Sequence, residues 1–135
     1  MKKLFSSKYS DTTISFSLLL LRLTLGGLMI PHGYQKLMNF ASQSSKFVDP
    51  FHIGPTATMA LTIFAEFFCA AFIIVGLMTR FATIPLIIAM SFAVFMAHDG
   101  KIFGEGEHAA LYLGGFLALL FAGPGKYSMD RLIGK

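Results

Sequence analysis

Four long apolar runs, broken by short polar intervals, account for nearly the whole chain. They predict helical spans over about residues 14–37, 56–78, 80–98 and 106–123. The first is apolar apart from Arg22, His32, a few small polar residues and, at its outer end, Gln35 and Lys36, and the second carries one charge, Glu66. The cores of the third and fourth, Phe81 to Ala97 and Ala109 to Ala122, carry none. A helix needs about 20 residues to cross the roughly 30 Å hydrocarbon core of a bilayer. The first two runs meet that length comfortably. The other two meet it only by using their ends, which predicts that they tilt or sit in a thinner part of the bundle. No strict alternation runs through any of them, and the fourth is rich in Ala, Gly and Leu rather than β-branched residues, which argues against strands. The expected fold is all-α: a four-helix transmembrane bundle forming a single domain over residues 1–135.

The charges between the runs give the orientation. Lys2, Lys3 and Lys8 precede the first run, Arg80 separates the second from the third, and Lys126, Arg131 and Lys135 follow the fourth. The opposite side holds Lys36, Lys46 and Lys101. Seven basic residues against three place both termini in the cytoplasm by the positive-inside rule. Met1-Lys2-Lys3 ahead of an apolar run has the outline of a signal peptide. The run, however, starts near Ile14, extends too far and ends in Pro31-His32-Gly33-Tyr34 without a clean small-residue cleavage site, so a retained first span is expected. Thr79-Arg80 is expected to be the whole turn of an antiparallel hairpin between the second and third spans. Met38 to Pro55, with Ser42, Ser44, Ser45, Pro50 and Gly54, reads as the one long loop, lying outside.

Composition narrows the function classes. Of 135 residues, 55% are hydrophobic and 13% charged, with a mean hydropathy of +0.67. Soluble domains carry about 25% charged residues, so these charges are too few to coat a water-facing enzyme domain. The formal net charge is +4, but the basic residues are scattered and form no stripe interleaved with aromatics, so nucleic acid is not an expected partner. The single cysteine, Cys69, excludes an internal disulfide, a CxxC redox pair and a cysteine-based metal site within one chain.

The polar residues inside the runs are the candidates for function. Counted from the cytoplasmic ends of their spans at 1.5 Å per residue, Arg22 lies about 12 Å deep and Glu66 about 18 Å deep. Isolated charges in lipid are costly and pair within the bundle, so an Arg22–Glu66 ion pair is expected. Its plain role is to lock the first span to the second; its functional role is for Glu66 to orient a ligand or carry a proton. The face 22, 26, 29, 33 reads Arg, Gly, Met, Gly and lets a neighbouring helix approach closely. Pro31 is expected to kink the first span beside His32. Antiparallel threading brings His32, His98, Glu107 and His108 to the outer face, where they are candidates for a pocket around a quinone-like headgroup. The bland alternative for each histidine is an interfacial hydrogen-bonding side chain, and for Glu107 a favourable place at a helix N-terminus. Nothing in their spacing demands a metal.

Nucleotide and haem motifs such as GxGxxG, GxxxxGK[ST] and CxxCH are absent. Five short stretches do carry a resemblance. They are Arg22-Leu23-Thr24-Leu25-Gly26, His32-Gly33-Tyr34-Gln35-Lys36-Leu37, Ala65-Glu66, Gly76-Leu77-Met78-Thr79-Arg80, and Gly123-Pro124-Gly125-Lys126-Tyr127-Ser128-Met129-Asp130. In this order the chain resembles the DoxX family of small bacterial inner-membrane proteins. The resemblance implies a four-helix, multi-pass protein of the inner membrane, related to the small membrane subunit of archaeal thiosulfate:quinone oxidoreductase. It carries over Arg22, His32, Gly33, Gln35, Lys36, Glu66 and Arg80, none of which is a self-sufficient redox group. Three readings stand. One is a membrane subunit or binding module of a redox system, holding a quinone-like ligand and working with a redox protein partner. Another is a structural or stress-related membrane protein without catalytic activity. The third is a small transporter, which with four spans would need a homo-oligomer. Membrane lipid is the expected surrounding in all three.

Overall fold

A computed structural model of the chain describes residues 2–97, 103, 104 and 106–134, and these form helices and no strand. The first helix, α1 (Asp11–Met38), begins at Ser10, whose hydroxyl accepts from the Thr13 N–H at 3.1 Å. That cap satisfies an end donor, and Asp11 in the first turn complements the helix dipole. The helix continues through Pro31, with Lys36 in its last turn. Its 28 residues make it about 42 Å long. The buried positions Arg22, Leu25, Gly26, Met29 and Gly33 recur at helical spacing, so one stripe faces inward.

The second helix, α2 (Pro55–Val75), has proline in its first turn, where a missing N–H costs nothing. A π-helical stretch, Phe64–Cys69, interrupts it and contains Glu66. It closes with a Schellman motif. Gly76 N–H donates to the Ile73 carbonyl at 3.1 Å and Leu77 N–H to the Phe72 carbonyl at 2.8 Å, with Gly76 at φ +74°. The third helix, α3 (Thr79–Met96), follows at once. The hairpin turn is therefore Gly76–Met78 and not Thr79-Arg80; Arg80 already lies inside α3. The left-handed glycine ends α2 early, and a cap from elsewhere in the chain lets α3 start early. The fourth helix is α4 (Glu107–Ala122), and a short α5 (Met129–Ile133) is capped by the Ser128 hydroxyl, which accepts from Arg131 N–H at 3.3 Å.

The helices α1, α2 and α3 are long and apolar enough to cross a membrane, and α4 is a shorter apolar helix of 16 residues, about 24 Å. Each packs on the next, and α4 returns to α1. Met29, Ile73, Leu86, Val94, Phe116 and Leu119 fill the centre. Leu20, Leu28, Phe68, Ile84, Leu111 and Phe121 point outward and are exposed. Helices that are apolar on both inner and outer faces belong in lipid rather than water.

The register of α1 against α2 positions everything that follows. Arg22 lies beside Gly76, Gly26 beside Ala70, and Gly33 beside the backbone of Glu66 and Phe67. A Cβ on Gly33 would fall 2.7 Å from the Phe67 nitrogen, so only glycine permits this approach. One end of the molecule gathers the start of α1, the Gly76–Met78 turn and the C-terminal tail. There Lys126 N–H donates to Ser15 Oγ at 3.1 Å, and Asp130 N–H donates to the Gly76 carbonyl at 2.8 Å. The other end carries the loop after α1 and the start of α2.

Candidate functional site

At the loop end, Gly33 brings α1 against the π-helical stretch, and Lys36 lies one turn further along the same stripe. Its Nζ lies 2.6 Å from Glu66 Oε2. The Glu66 side chain is 6% exposed and that of Lys36 27%. Among the described residues no other side chain or backbone donor is bonded to this carboxylate. The ion pair borders a cleft of about 510 Å³ between α2, α3 and the loop after α1. Phe47, Phe51, Phe64, Ala89, Phe92 and Met96 are typical of its wall. Besides Lys36 and Glu66, the polar side chains there among the described residues are Thr58 and Thr62. Both hydroxyls are committed: Thr58 Oγ1 donates to Asp49 Oδ1 at 2.8 Å, and Thr62 Oγ1 to the Thr58 carbonyl at 2.9 Å. Among the described residues, a headgroup acceptor in this cleft meets one side chain with a spare donor, Lys36 of the Lys36–Glu66 pair.

The loop wall is tied down by Asp49. Its carboxylate accepts from Ile53 N–H at 3.1 Å, Gly54 N–H at 2.8 Å and the Thr58 hydroxyl. Desolvation opposes its ionisation, but these donors outweigh it and hold the carboxyl below its ordinary value. Phe51 then rests edge-on against Phe92 of α3, with ring centroids 4.7 Å apart, closing one side of the cleft. On the other side Leu61, Phe64, Ile88 and Met96 are exposed on the outward apolar surface, so the cleft opens toward lipid.

The expected Arg22–Glu66 pair is not formed. Arg22 is fully buried at the tail end, where its Nη2 donates to the Tyr127 carbonyl and its Nε and Nη1 have no partner. The first turns of α1 run past the Gly76–Met78 turn, so Arg22 faces Gly76. Gly33, the residue opposite Glu66, is three turns further along, about 16 Å away. Depth counted from the ends of the apolar runs misses this offset.

The residues expected to line an outer pocket fall as follows. His32 is exposed, with its ring edge-on to Tyr112 at 6.1 Å between centroids. Glu107 and His108 are exposed at the start of α4. His98 lies outside the described residues. None of His32, Glu107 and His108 borders the cleft. No group of three His, Cys, Asp or Glu side chains among the described residues has metal-binding geometry. The resemblance carries over Lys36, but its pairing with Glu66 and the roles of Asp49 and Asp130 are what sequence reasoning missed. One more helical step along the stripe 22, 26, 29, 33 arrives at 36, and that signal was available for Lys36.

Comparison with known proteins adds a family. The DoxX family matches residues 17–99. The uncharacterized membrane protein Rv3486 of Mycobacterium tuberculosis is 31% identical over 144 aligned positions, covering 88% of this chain and 82% of that protein. The inner membrane protein YqjF of Escherichia coli is 28% identical over 123 positions, covering 87% of this chain and 92% of that protein. No solved structure matches.

Proposed function

This chain belongs to the DoxX family, and we propose that it is a membrane-embedded binding module of a redox system that holds a quinone-like ligand between α2 and α3. It is a multi-pass protein of the inner membrane, in contact with lipid. In the proposed arrangement α1 to α4 form one transmembrane four-helix domain, with both termini in the cytoplasm as the basic residues imply. In this reading the redox chemistry is assigned to a partner protein, since among the described residues no side chain at the cleft is itself a two-electron redox group.

The observation that carries this reading is the Lys36–Glu66 pair bordering an otherwise apolar cleft that opens to lipid. A bilayer-soluble ligand enters such a cleft without crossing water. Flat aromatic walls such as Phe51, Phe64 and Phe92 stack on a ring. The Lys36 ammonium has three N–H donors, and a carbonyl oxygen can accept one while the ion pair with Glu66 stands. Volumes of about 300–1,000 Å³ are usual for small-molecule sites, and this cleft falls within that range.

The test is a titration of purified full-length protein in lipid nanodiscs with a short-chain quinone, followed by the rise in thermal stability that bound ligand produces. Ala89→Phe fills the cleft and is expected to abolish the shift. His32→Ala, remote from the cleft wall, is expected to leave it intact. A saturable shift that survives Ala89→Phe and disappears with His32→Ala would move the site to the α1–α4 end and reject the cleft.

A further inference from the structure

We infer that Glu66 is a specificity-determining residue: by neutralising Lys36 it restricts the cleft to uncharged headgroups, and without its charge the cleft becomes a site for anionic amphiphiles. This rests on the proposed function of the cleft and adds the rule by which ligands are admitted.

The argument is electrostatic. Among the described residues Lys36 is the cation at the cleft, and in a low-dielectric wall an unpaired ammonium would attract any anionic amphiphile the membrane holds. Fatty carboxylates and phospholipids are such molecules, and the outward apolar opening beside Leu61, Phe64, Ile88 and Met96 gives their chains direct access. The 2.6 Å contact with Glu66 cancels that attraction. An incoming carboxylate would either place a second, uncompensated negative charge beside Glu66 at a spare Lys36 N–H or displace Glu66, leaving a nearly buried carboxylate with no other donor among the described residues. A cationic headgroup would have to displace Lys36 in the same way. A neutral carbonyl or hydroxyl needs no exchange, since it takes a spare Lys36 N–H and leaves the pair standing. The two threonines cannot relax the rule, because their hydroxyl protons already serve Asp49 and the α2 backbone.

The experiment uses photoreactive amphiphiles of equal chain length in nanodiscs of neutral lipid, one ending in a methyl ketone and one in a carboxylate. Crosslinked peptides are located by mass spectrometry. In the wild-type protein the ketone is expected to label α2 and α3 around Phe64 and Ala89, and the carboxylate to label them roughly ten-fold less. Glu66→Gln keeps the shape of the side chain and frees the ammonium, so carboxylate labelling should rise by about the same factor. Equal labelling of the wild-type cleft by both probes overturns the charge filter while leaving the binding reading in place. Labelling of the cleft by neither probe overturns both. A folded Glu66→Gln protein, with unchanged elution and a cooperative melt, that still excludes the carboxylate overturns the role of Glu66. The wild-type comparison needs no substitution and decides the filter even where the variant is unstable.

Discussion

The Asp130 carboxylate reaches back across the chain to cap Thr79. It accepts from Thr79 N–H at 2.9 Å and from Met78 N–H at 2.6 Å, so the tail supplies the N-cap that α3 lacks in its own sequence. The residue in the cap position, Met78, has no side-chain acceptor and adopts φ +49°, an uncommon conformation for a non-glycine residue. Two charge-assisted bonds to otherwise orphaned donors make Asp130 a joint between the tail and the α2–α3 turn. Asp130→Ala is expected to cost about 2 kcal/mol, at the upper end for a cap, and Asp130→Asn about half that. Denaturant titration in mixed micelles, with proteolysis of the tail as a second readout, checks it. Loss of stability without increased cleavage of the tail would contradict the joint.

The apolar runs made the helices legible, because the length and hydrophobicity of a span are local properties. The expected limits at 14, 56, 80 and 106 fall within three residues of the helix starts at Asp11, Pro55, Thr79 and Glu107. The site was less legible, because it depends on register. Whether Glu66 faces Arg22 or Lys36 is decided by where Gly33 lets two backbones meet, and that contact is not written in either helix alone. The Asp130 cap joins residues more than fifty positions apart in a stretch that reads as an ordinary polar tail. The cleft needs the loop folded by Asp49, whose three donors come from positions four to nine residues ahead.

Gly33 and Gly27 sit on the same helix and should answer substitution in opposite ways. A Cβ on Gly33 would lie 2.7 Å from Phe67 N and 2.8 Å from the Glu66 carbonyl carbon, and backbone cannot step aside as a side-chain tip can. Gly33→Ala should therefore destabilise by about 1–3 kcal/mol, the range for overpacking, and should separate Lys36 from Glu66. Nothing lies within 4 Å of a Cβ on Gly27, so Gly27→Ala should be neutral or stabilising by up to about 1 kcal/mol through helix propensity. Equal effects in parallel melts would show that the α1–α2 approach is looser than described.

The orientation has a direct readout because Cys69 is buried and will not compete for a label. Single cysteines at Ser45, in the loop after α1, and at Leu132, in the exposed tail, report the two ends of the molecule. A membrane-impermeant maleimide added to intact spheroplasts should modify Ser45→Cys and spare Leu132→Cys until the membrane is opened. Modification of both from outside would reject the orientation implied by the basic residues.

Asp49 gives the loop a pH dependence whose sign follows from its donors. Its folded-state value lies below the ordinary 3.8, chiefly because the Thr58 hydroxyl and the Gly54 and Ile53 N–H groups favour the carboxylate against desolvation. A depressed acid stabilises the fold fully above its unfolded value and stops doing so as pH falls through the folded one. The loop wall should therefore hold at neutral pH and loosen only below about 3.8. Hydrogen exchange of the Ile53 and Gly54 amides should accelerate over that window beyond the intrinsic pH effect. Asp49→Asn should show the faster exchange already at neutral pH and lose the acid dependence.

Breaking the Lys36–Glu66 pair from its two sides should not cost the same. Lys36 is 27% exposed and carries a long flexible stem near the end of α1, so when Glu66 becomes Gln the ammonium keeps its contact with water while still bordering the cleft. That variant is expected to lose about 1 kcal/mol, the value of an ordinary hydrogen bond. Glu66 has no such route. It is fixed in the π-helical stretch of α2, 5% exposed and without a second donor among the described residues. Lys36→Met strands its charge and should cost about 3 kcal/mol, the lower end for breaking a buried pair. Replacing both, as Lys36→Met with Glu66→Leu, removes the stranded charge and should recover most of the loss. Unfolding titrations of the three variants measure these losses directly. Equal costs for the two single changes would mean that Glu66 reaches water as readily as Lys36 and that the pair does not border a closed apolar wall.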